Sequence, residues 1–556
     1  MGFVIMNSSF FILFFLHLFC LPFFTLPFAV STEIVCIPSE AEALLKLKHY
    51  LNDSSNTLSS WNSSAISNCC LWPAVVCNNV TAHVLQLHLN SSFEWTCAVN
   101  GTISSLFAEN LDWLSSLSKL EYLDLGGIDL SKSFDWLHTL QALPSLTDLH
   151  LSLCTLPPYS QPSLLNFSSL LTLDLSITSY SSAISSIPRW IFGLRKLVSL
   201  QFRGNNIQGP IPHGIQNLTL LQNLDLSFNS LSSSIPDWLY GLHHLNFLNL
   251  EYNKLNGTIS DALGNLTSLV ELHLSNNQFS ENPFESLRSL SKLSSLEIGD
   301  NHFEGVVKED HLANLTSLKV FYASGNNFTL KVGPNWLPTF QLTGLDMSSW
   351  QLGPNFPSWI QSQNKLEVIV MSNTGILDPI PTWFWEAFSQ ASYVNLSHNN
   401  IHGELVTTLR NPISIRSVDL STNHLCGKLP YLSNYVIWLD LSSNSFLESM
   451  DDFLCKKQDK PMNLEFLNLA SNNLSGEIPD CWMIWPFLMD VNLQSNHFVG
   501  NLPPSMASLA ELQSLQIRNN SLSGIFPTIL KKTDQLICLD LGENNLSGTI
   551  PAWVGA

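Results

Sequence analysis

One phrase of 24 residues recurs along most of this chain, and few folds can house such a sequence. In "LQNLDLSFNSLSSSIPDWLYGLHHL", residues 221–245, leucines fall at Leu221, Leu224, Leu226 and Leu231, Asn229 lies between the last two, and Ile235-Pro236 closes the phrase. Written as LxxLxLxxNxLxGxIP, the phrase places its Asn at Asn205, Asn229, Asn253, Asn277, Asn301, Asn326, Asn399, Asn423, Asn444, Asn472, Asn496, Asn520 and Asn544. Trp350 and Thr374 hold the same place in two consecutive copies. Less regular copies centre on Leu123/Leu125, Leu149/Leu151 and Leu173/Leu175, after a first strand at residues 84–89, making about nineteen units.

Within LxxLxL the alternation is that of a strand with leucines inward. One unit cannot bury its own leucines, so neighbouring units must stack and pair their short strands in parallel. The Asn offers amide donors and a carbonyl acceptor to the backbone of the tight turn that follows. Gly permits positive φ or close approach, and Pro fixes φ as the chain turns along the back. The pattern therefore predicts an α/β solenoid with one continuous parallel sheet on its concave side. Fifteen regular coils at the strand spacing make that sheet about 70 Å long. The Asn column is interrupted at Trp350 and Thr374, and near the start at Ile128, Cys154 and Thr178. Altered curvature or looser stacking is expected around residues 340–380, unless neighbouring coils absorb the substitutions. The step from Asn444 to Asn472 carries an insertion, "MDDFLCKKQDKP", expected as a longer back-face loop.

Charged residues make up only 12% of the 556, and the formal charge of −20 makes nucleic acid a poor partner. Residues 10–30, "FFILFFLHLFCLPFFTLPFAV", read as a signal peptide cleaved near residues 29–32; an uncleaved anchor is the alternative, disfavoured by Pro22 and Pro27. "CWMIWPFLM" at 481–489 is too short to span a membrane. Sequons at Asn52, Asn62, Asn79, Asn90, Asn100, Asn166, Asn217, Asn256, Asn265, Asn314, Asn327, Asn395, Asn473, Asn519 and Asn545 point with the leader to a glycosylated extracellular protein.

A solenoid must cap its open end. "SEAEALLKLKHYL" predicts a helix opened by a Ser39/Glu42 capping box, with an apolar stripe at Leu44, Leu47 and Leu51. Cys36, Cys69, Cys70 and Cys77 surround it, and spacing alone does not choose among pairings. A zinc site on Cys69, Cys70 and Cys77 is a weak rival in an oxidising compartment. The stretch "CIPSEAEALLKLKHYL…LSSWN…NCCLWPAVVC" resembles the N-terminal cap of plant extracellular leucine-rich repeat proteins, with Ala74 where that family usually has Gly. Together with the xLxGxIP coils and the "IPDCW" phrase at Cys481, it looks like the plant leucine-rich repeat receptor-like proteins, particularly those similar to receptors for ethylene-inducing xylanase. The resemblance implies Cys36–Cys69, Cys70–Cys77 and Cys455–Cys481 bridges, with Cys97, Cys154, Cys426 and Cys538 left over. It also implies a signal peptide at 1–31, a cap at 32–82 and repeats over 83–556. The last phrase, "GTIPAWVGA", stops within a coil where such proteins continue to a cap and a membrane span, so a truncated receptor-like protein is expected.

No glycine-rich phosphate loop, HExxH motif or nucleophile elbow occurs, and His243-His244 reads as two surface residues rather than a metal pair. No enzyme, cofactor or metal is expected. Recognition fits better, because outward strand residues vary without disturbing the core. The densest outward cluster of aromatic and charged side chains contains Phe247, Glu251, Tyr252, Glu271, His273, Glu297, Asp300 and Tyr322. Asn395 is a sequon in an outward strand position, where a glycan would obstruct the face and direct ligand contact towards its N-terminal side. By resemblance, the partners are a microbial or endogenous protein or peptide and a receptor-kinase adaptor. The alternative is a soluble binder similar to polygalacturonase inhibitors, which have far fewer coils.

Overall fold

The computed structural model describes residues 36–51, 58–62, 69–89, 107–157, 167–180, 186–455 and 461–551. The proposed leader, Cys97, and the sequons at Asn52, Asn90, Asn100 and Asn166 lie outside these residues.

Each LxxLxL phrase forms a three-residue strand, and the strands pair in parallel without a register slip from one coil to the next. Asn223–Asp225 lies between Ser199–Gln201 and Phe247–Asn249, and the same pairing runs on to Cys538–Asp540. The sheet has twenty strands, of which nineteen run in parallel; the other, Val75–Cys77, adds antiparallel to Val84–His88. Central leucines such as Leu224, Leu248, Leu272 and Leu296 are fully buried, while flanking strand residues face the concave side. Short helices line much of the back, for example His213–Asn217, Asp237–Gly241 and Asp261–Asn265.

The Asn column holds the coils together through both ends of its amide. Asn277 Nδ2 donates to the carbonyls of Leu250 in the preceding coil (2.9 Å) and of Leu274 and Ser275 in its own (3.1 and 3.3 Å). Its Oδ1 accepts from the Leu255 N–H of the preceding coil at 3.0 Å. To aim each Asn inward, the residue before it turns left-handed: Tyr252 has φ 51°, Asn276 56° and Asp300 49°. Sequence reading assigned positive φ to the phrase's glycine, and Gly257 does have φ 84°, but it missed this second left-handed position.

Except at the aliphatic Ile128, the defects are filled by other donors. Cys154 Sγ donates to Leu125 O at 3.1 Å, so this thiol is a rung and not merely a small apolar filler. Trp350 Nε1 donates to Ala323 O at 2.8 Å, and its ring packs on Phe328, Phe321 and Phe284. Thr374 bonds Met371 O and Asn399 Oδ1, each at 3.1 Å. Across this region the concave strands Gly344–Asp346, Val368–Val370 and Tyr393–Asn395 stay in register. The second sheet does not. Its six strands end at Asn327–Lys331 and seven more begin at His402–Glu404, so the irregularity is confined to the side after the turn.

The cap departs from the expected capping box. The helix is Pro38–Tyr50, begun by proline at its first position, and its N-cap Ile37 has no side-chain cap bond. With φ preset by Pro38, Ser39 falls inside the first turn instead of before it. Glu42 is exposed and pairs with Lys46 at 3.6 Å. Glu40 is the buried acid: it meets His83 Nδ1 at 2.8 Å and accepts from Val84 N at 2.7 Å, joining the cap to the first concave strand. Leu44, Leu47 and Leu51 are buried as the stripe requires. Disulfides join Cys36 to Cys69, Cys70 to Cys77 and Cys455 to Cys481, which removes the thiolates a zinc site would need.

Two outcomes follow for stability. Asn277→Ala leaves buried carbonyls and the Leu255 N–H without partners and should cost about 3 kcal/mol or more, read by chemical denaturation. Ala74 has φ 68° where a side chain is strained, so Ala74→Gly should raise the melting temperature. The gain, after the added flexibility of the unfolded chain, is about 0.5–1 kcal/mol.

Candidate functional site

The eight outward residues come together on four neighbouring strands. Phe247 lies beside Glu271, Asn249 beside His273, His273 beside Glu297, and Glu297 beside Tyr322. Glu251, Tyr252 and Asp300 follow in the turns at the end of the same strands. All but Asp300 are half-buried; Asp300 is exposed as a whole residue, with its carboxyl lying against Gly325 of the next turn. Phe247 meets the His273 ring edge-on at 5.4 Å. Gly344 is needed beneath Tyr322, because a methyl group there would sit 2.5 Å from the phenol oxygen.

Carboxylates dominate this face. Burial, with Glu297 close by, pushes the Glu251 carboxyl up to about 8. Burial also raises Asp300 and Asp346 above the usual carboxylate range, and raises the Tyr322 phenol, helped by Glu297 and Asp346. Among the described residues of this patch, Arg203 is the nearby guanidinium; it lies 4.2 Å over the Phe228 ring, which in turn stacks on Tyr252 at 4.2 Å. Sequence reading missed Arg203 and Phe228. Phe228 lies one coil back in the turn register of Tyr252 and Arg203 two coils back in that of Glu251, so counting both registers back would have found them.

A second group was also missed. His88, Tyr122 and His150 stack on successive strands with ring centroids 4.4 and 5.0 Å apart, and His150 pairs with Asp174 at 3.8 Å. Burial acts to lower His150, but Asp174, Asp124 and Asp148 outweigh it and hold the imidazole above its usual value. Burial likewise acts to raise Asp174, and His150 and Ser176 bring it below its usual value. The early copies lack the regular Asn, so their concave positions could not be counted from it. Further along, Trp438 and Phe466 stack face to face, with centroids 3.6 Å apart.

The remaining expected residues fall as follows. Asn62, Asn79, Asn217, Asn256, Asn265, Asn314, Asn327, Asn473, Asn519 and Asn545 are exposed. Asn395 is half-buried on the concave row, and its Nδ2 donates to Tyr393 Oη at 3.2 Å. His243 and His244 are both exposed. Cys538 is exposed on the outer row, and Cys426 is half-buried. Two open clefts of about 520 and 470 Å³ lie by the second sheet, lined by Glu304 and the sequon residue Asn327; the second adjoins the Asp300 end of the patch through Asn301 and Gly325. Among the described residues, no helix is long and apolar enough to cross a membrane.

Comparison with known proteins accords with this geometry. The leucine-rich repeat region family matches residues 153–374, the leucine rich repeat N-terminal domain 37–78, and the leucine rich repeat 463–483, 511–533 and 535–556. Receptor like protein 21 of Arabidopsis thaliana is 32% identical over 482 residues, 80% of this chain and 48% of that protein. Receptor-like protein EIX2 of Solanum lycopersicum is 32% identical over 180 residues, 32% of this chain and 17% of that protein. The chain belongs to the plant leucine-rich repeat receptor-like proteins. These alignments take in less than half of each relative's length. In structure, this receptor-like protein is similar to the HAESA receptor kinase ectodomain of Arabidopsis, solved with an IDA peptide hormone, at 26% identity and TM-score 0.60 over 92% of this chain and 94% of that one. It shares its fold with the GASSHO1/SCHENGEN3 ectodomain of Arabidopsis, at 24% identity and TM-score 0.65 over 92% of this chain and 65% of that one.

The His150–Asp174 pair predicts a pH dependence of the receptor-like protein's stability. The raised His150 contributes stability that is full below its unfolded value of 6.5 and lost as pH rises through the higher folded value. The lowered Asp174 contributes stability that is full above 3.8 and lost as pH falls through the lower folded value. The pair is therefore strongest between those two pH values. Asp174→Asn should lower the His150 titration midpoint seen by NMR and reduce the stability difference between pH 6 and pH 8.

Proposed function

We propose that this chain is the extracellular ligand-recognition region of a plant cell-surface receptor-like protein. It works in defence, perceiving an elicitor protein or peptide and signalling through a partner receptor kinase. The observation that carries this reading is the acidic, aromatic-studded patch from Phe247 to Tyr322 on a rigid sheet. Its carboxyls are desolvated and crowded, and the single Arg203 guanidinium is too little to balance them. A cationic ligand would supply the missing charge, gain from attraction at long range, and find Phe247, Tyr252 and Tyr322 as apolar anchors. The HAESA ectodomain, of similar fold, was solved with a peptide hormone. The ten exposed sequons fit passage through the secretory pathway, and a glycan on Asn395 would bound the patch on its C-terminal side.

The test is surface plasmon resonance on the secreted chain. The analytes are a Lys/Arg-rich peptide, its Asp/Glu counterpart, and an ethylene-inducing xylanase. The basic peptide or the xylanase should bind, more weakly as salt rises. Glu271→Lys combined with Glu297→Lys should reduce that binding at least about tenfold. Glu304→Lys, by the second sheet, should leave it unchanged. Binding that ignores the concave reversal, or equal binding of the acidic peptide, would overturn the reading.

A further inference from the structure

Three coils contribute one metal-ligating side chain each to a single point on the concave face. Glu251 comes from the turn after one strand, His273 from the next strand and Glu297 from the strand after that. One ligand atom of each lies within 4.8 Å of the others. A fourth donor, Glu271, stands beside them.

His273 shows that this is more than a crowd of acids. Its side chain is only 14% exposed, and its Nε2 is sealed from solvent and has no hydrogen-bond partner. That nitrogen points at carboxylates, with Glu271 Oε2 at 3.6 Å and Glu297 Oε1 at 3.8 Å. Both distances are too long for hydrogen bonds. They are close to the donor–donor separation of about 3.4 Å that tetrahedral geometry requires when each donor lies ~2.1 Å from a zinc ion. A buried imidazole nitrogen without a partner is costly, and a cation bonded to it removes that cost. The same cation would relieve the repulsion between carboxylates held on adjacent strands. Imidazole among the donors favours a zinc-like ion over calcium or magnesium, which take oxygen ligands.

We propose that Glu251, His273 and Glu297, with Glu271 within reach, form a binding site for a divalent transition-metal ion of the zinc class. With three protein ligands, the ion keeps a coordination position open towards the concave channel. The strands that carry His273 and Glu297 are paired in register, so the donors are held by backbone rather than by long loops. The site rests on this cluster alone and stands whether or not the face takes a peptide.

The test is calorimetric titration of ZnCl₂ into the whole secreted chain after chelator treatment, with CaCl₂ as the competing ion. One equivalent should bind zinc and resist calcium. His273→Ala and Glu297→Gln should each weaken it by at least about tenfold. His150→Ala, in the separate histidine group, should leave it intact. Glu251→Gln and Glu297→Gln keep side-chain shape, so they read the site even if His273→Ala fails to fold. Absence of the equivalent, equal affinity in every variant, or displacement by calcium on equal terms would overturn the proposal.

Discussion

The buried amide of the repeated Asn is the interaction on which the rest of the structure depends. A turn after each three-residue strand leaves carbonyls and N–H groups that neither strand pairing nor water can reach. Asn277 serves three of those carbonyls and one N–H, across two coils, with a single side chain. Because the bonds cross between coils, the column sets register as well as paying the desolvation cost of the turn. Its replacements show which of these tasks is indispensable. Trp350 and Cys154 each retain a donor to the preceding coil, and the concave strands beside them remain paired.

A sheet held so regularly turns sequence spacing into geometry. Residues 24 apart, such as Phe247 and Glu271, or Asn249 and His273, become cross-strand neighbours. Distant carboxylates are thereby packed side by side at a burial that loop residues would avoid by moving. The raised Glu251 and Asp346 carboxyls stem first from burial and then from this enforced proximity of other carboxylates. The acidic, aromatic face and the Glu251–His273–Glu297 cluster within it are two consequences of one rigid column.

Much of this was legible from residue spacing. The strands, the inward leucines, the Asn column and the neighbourhood of the eight outward residues all follow from one period, because each coil has the same length and the same turn. Legibility fell where the period did. The early coils have Ile128, Cys154 and Thr178 in place of Asn, and the His88–Tyr122–His150 stack among them went unread. The cap helix misled for a local reason: Ser39 and Glu42 have the spacing of a capping box, but Pro38 had already begun the helix.

What sequence alone determined is the solenoid, its parallel concave sheet and which residues face outward, since these depend on period and polarity. What only the tertiary structure decided is how outward side chains meet. Glu40 turning inward to Val84, Arg203 lying on Phe228, and the bare Nε2 of His273 between carboxylates depend on rotamers and on contacts between coils. A repeat pattern specifies where each Cα goes, and leaves the ends of long side chains to be placed by their neighbours.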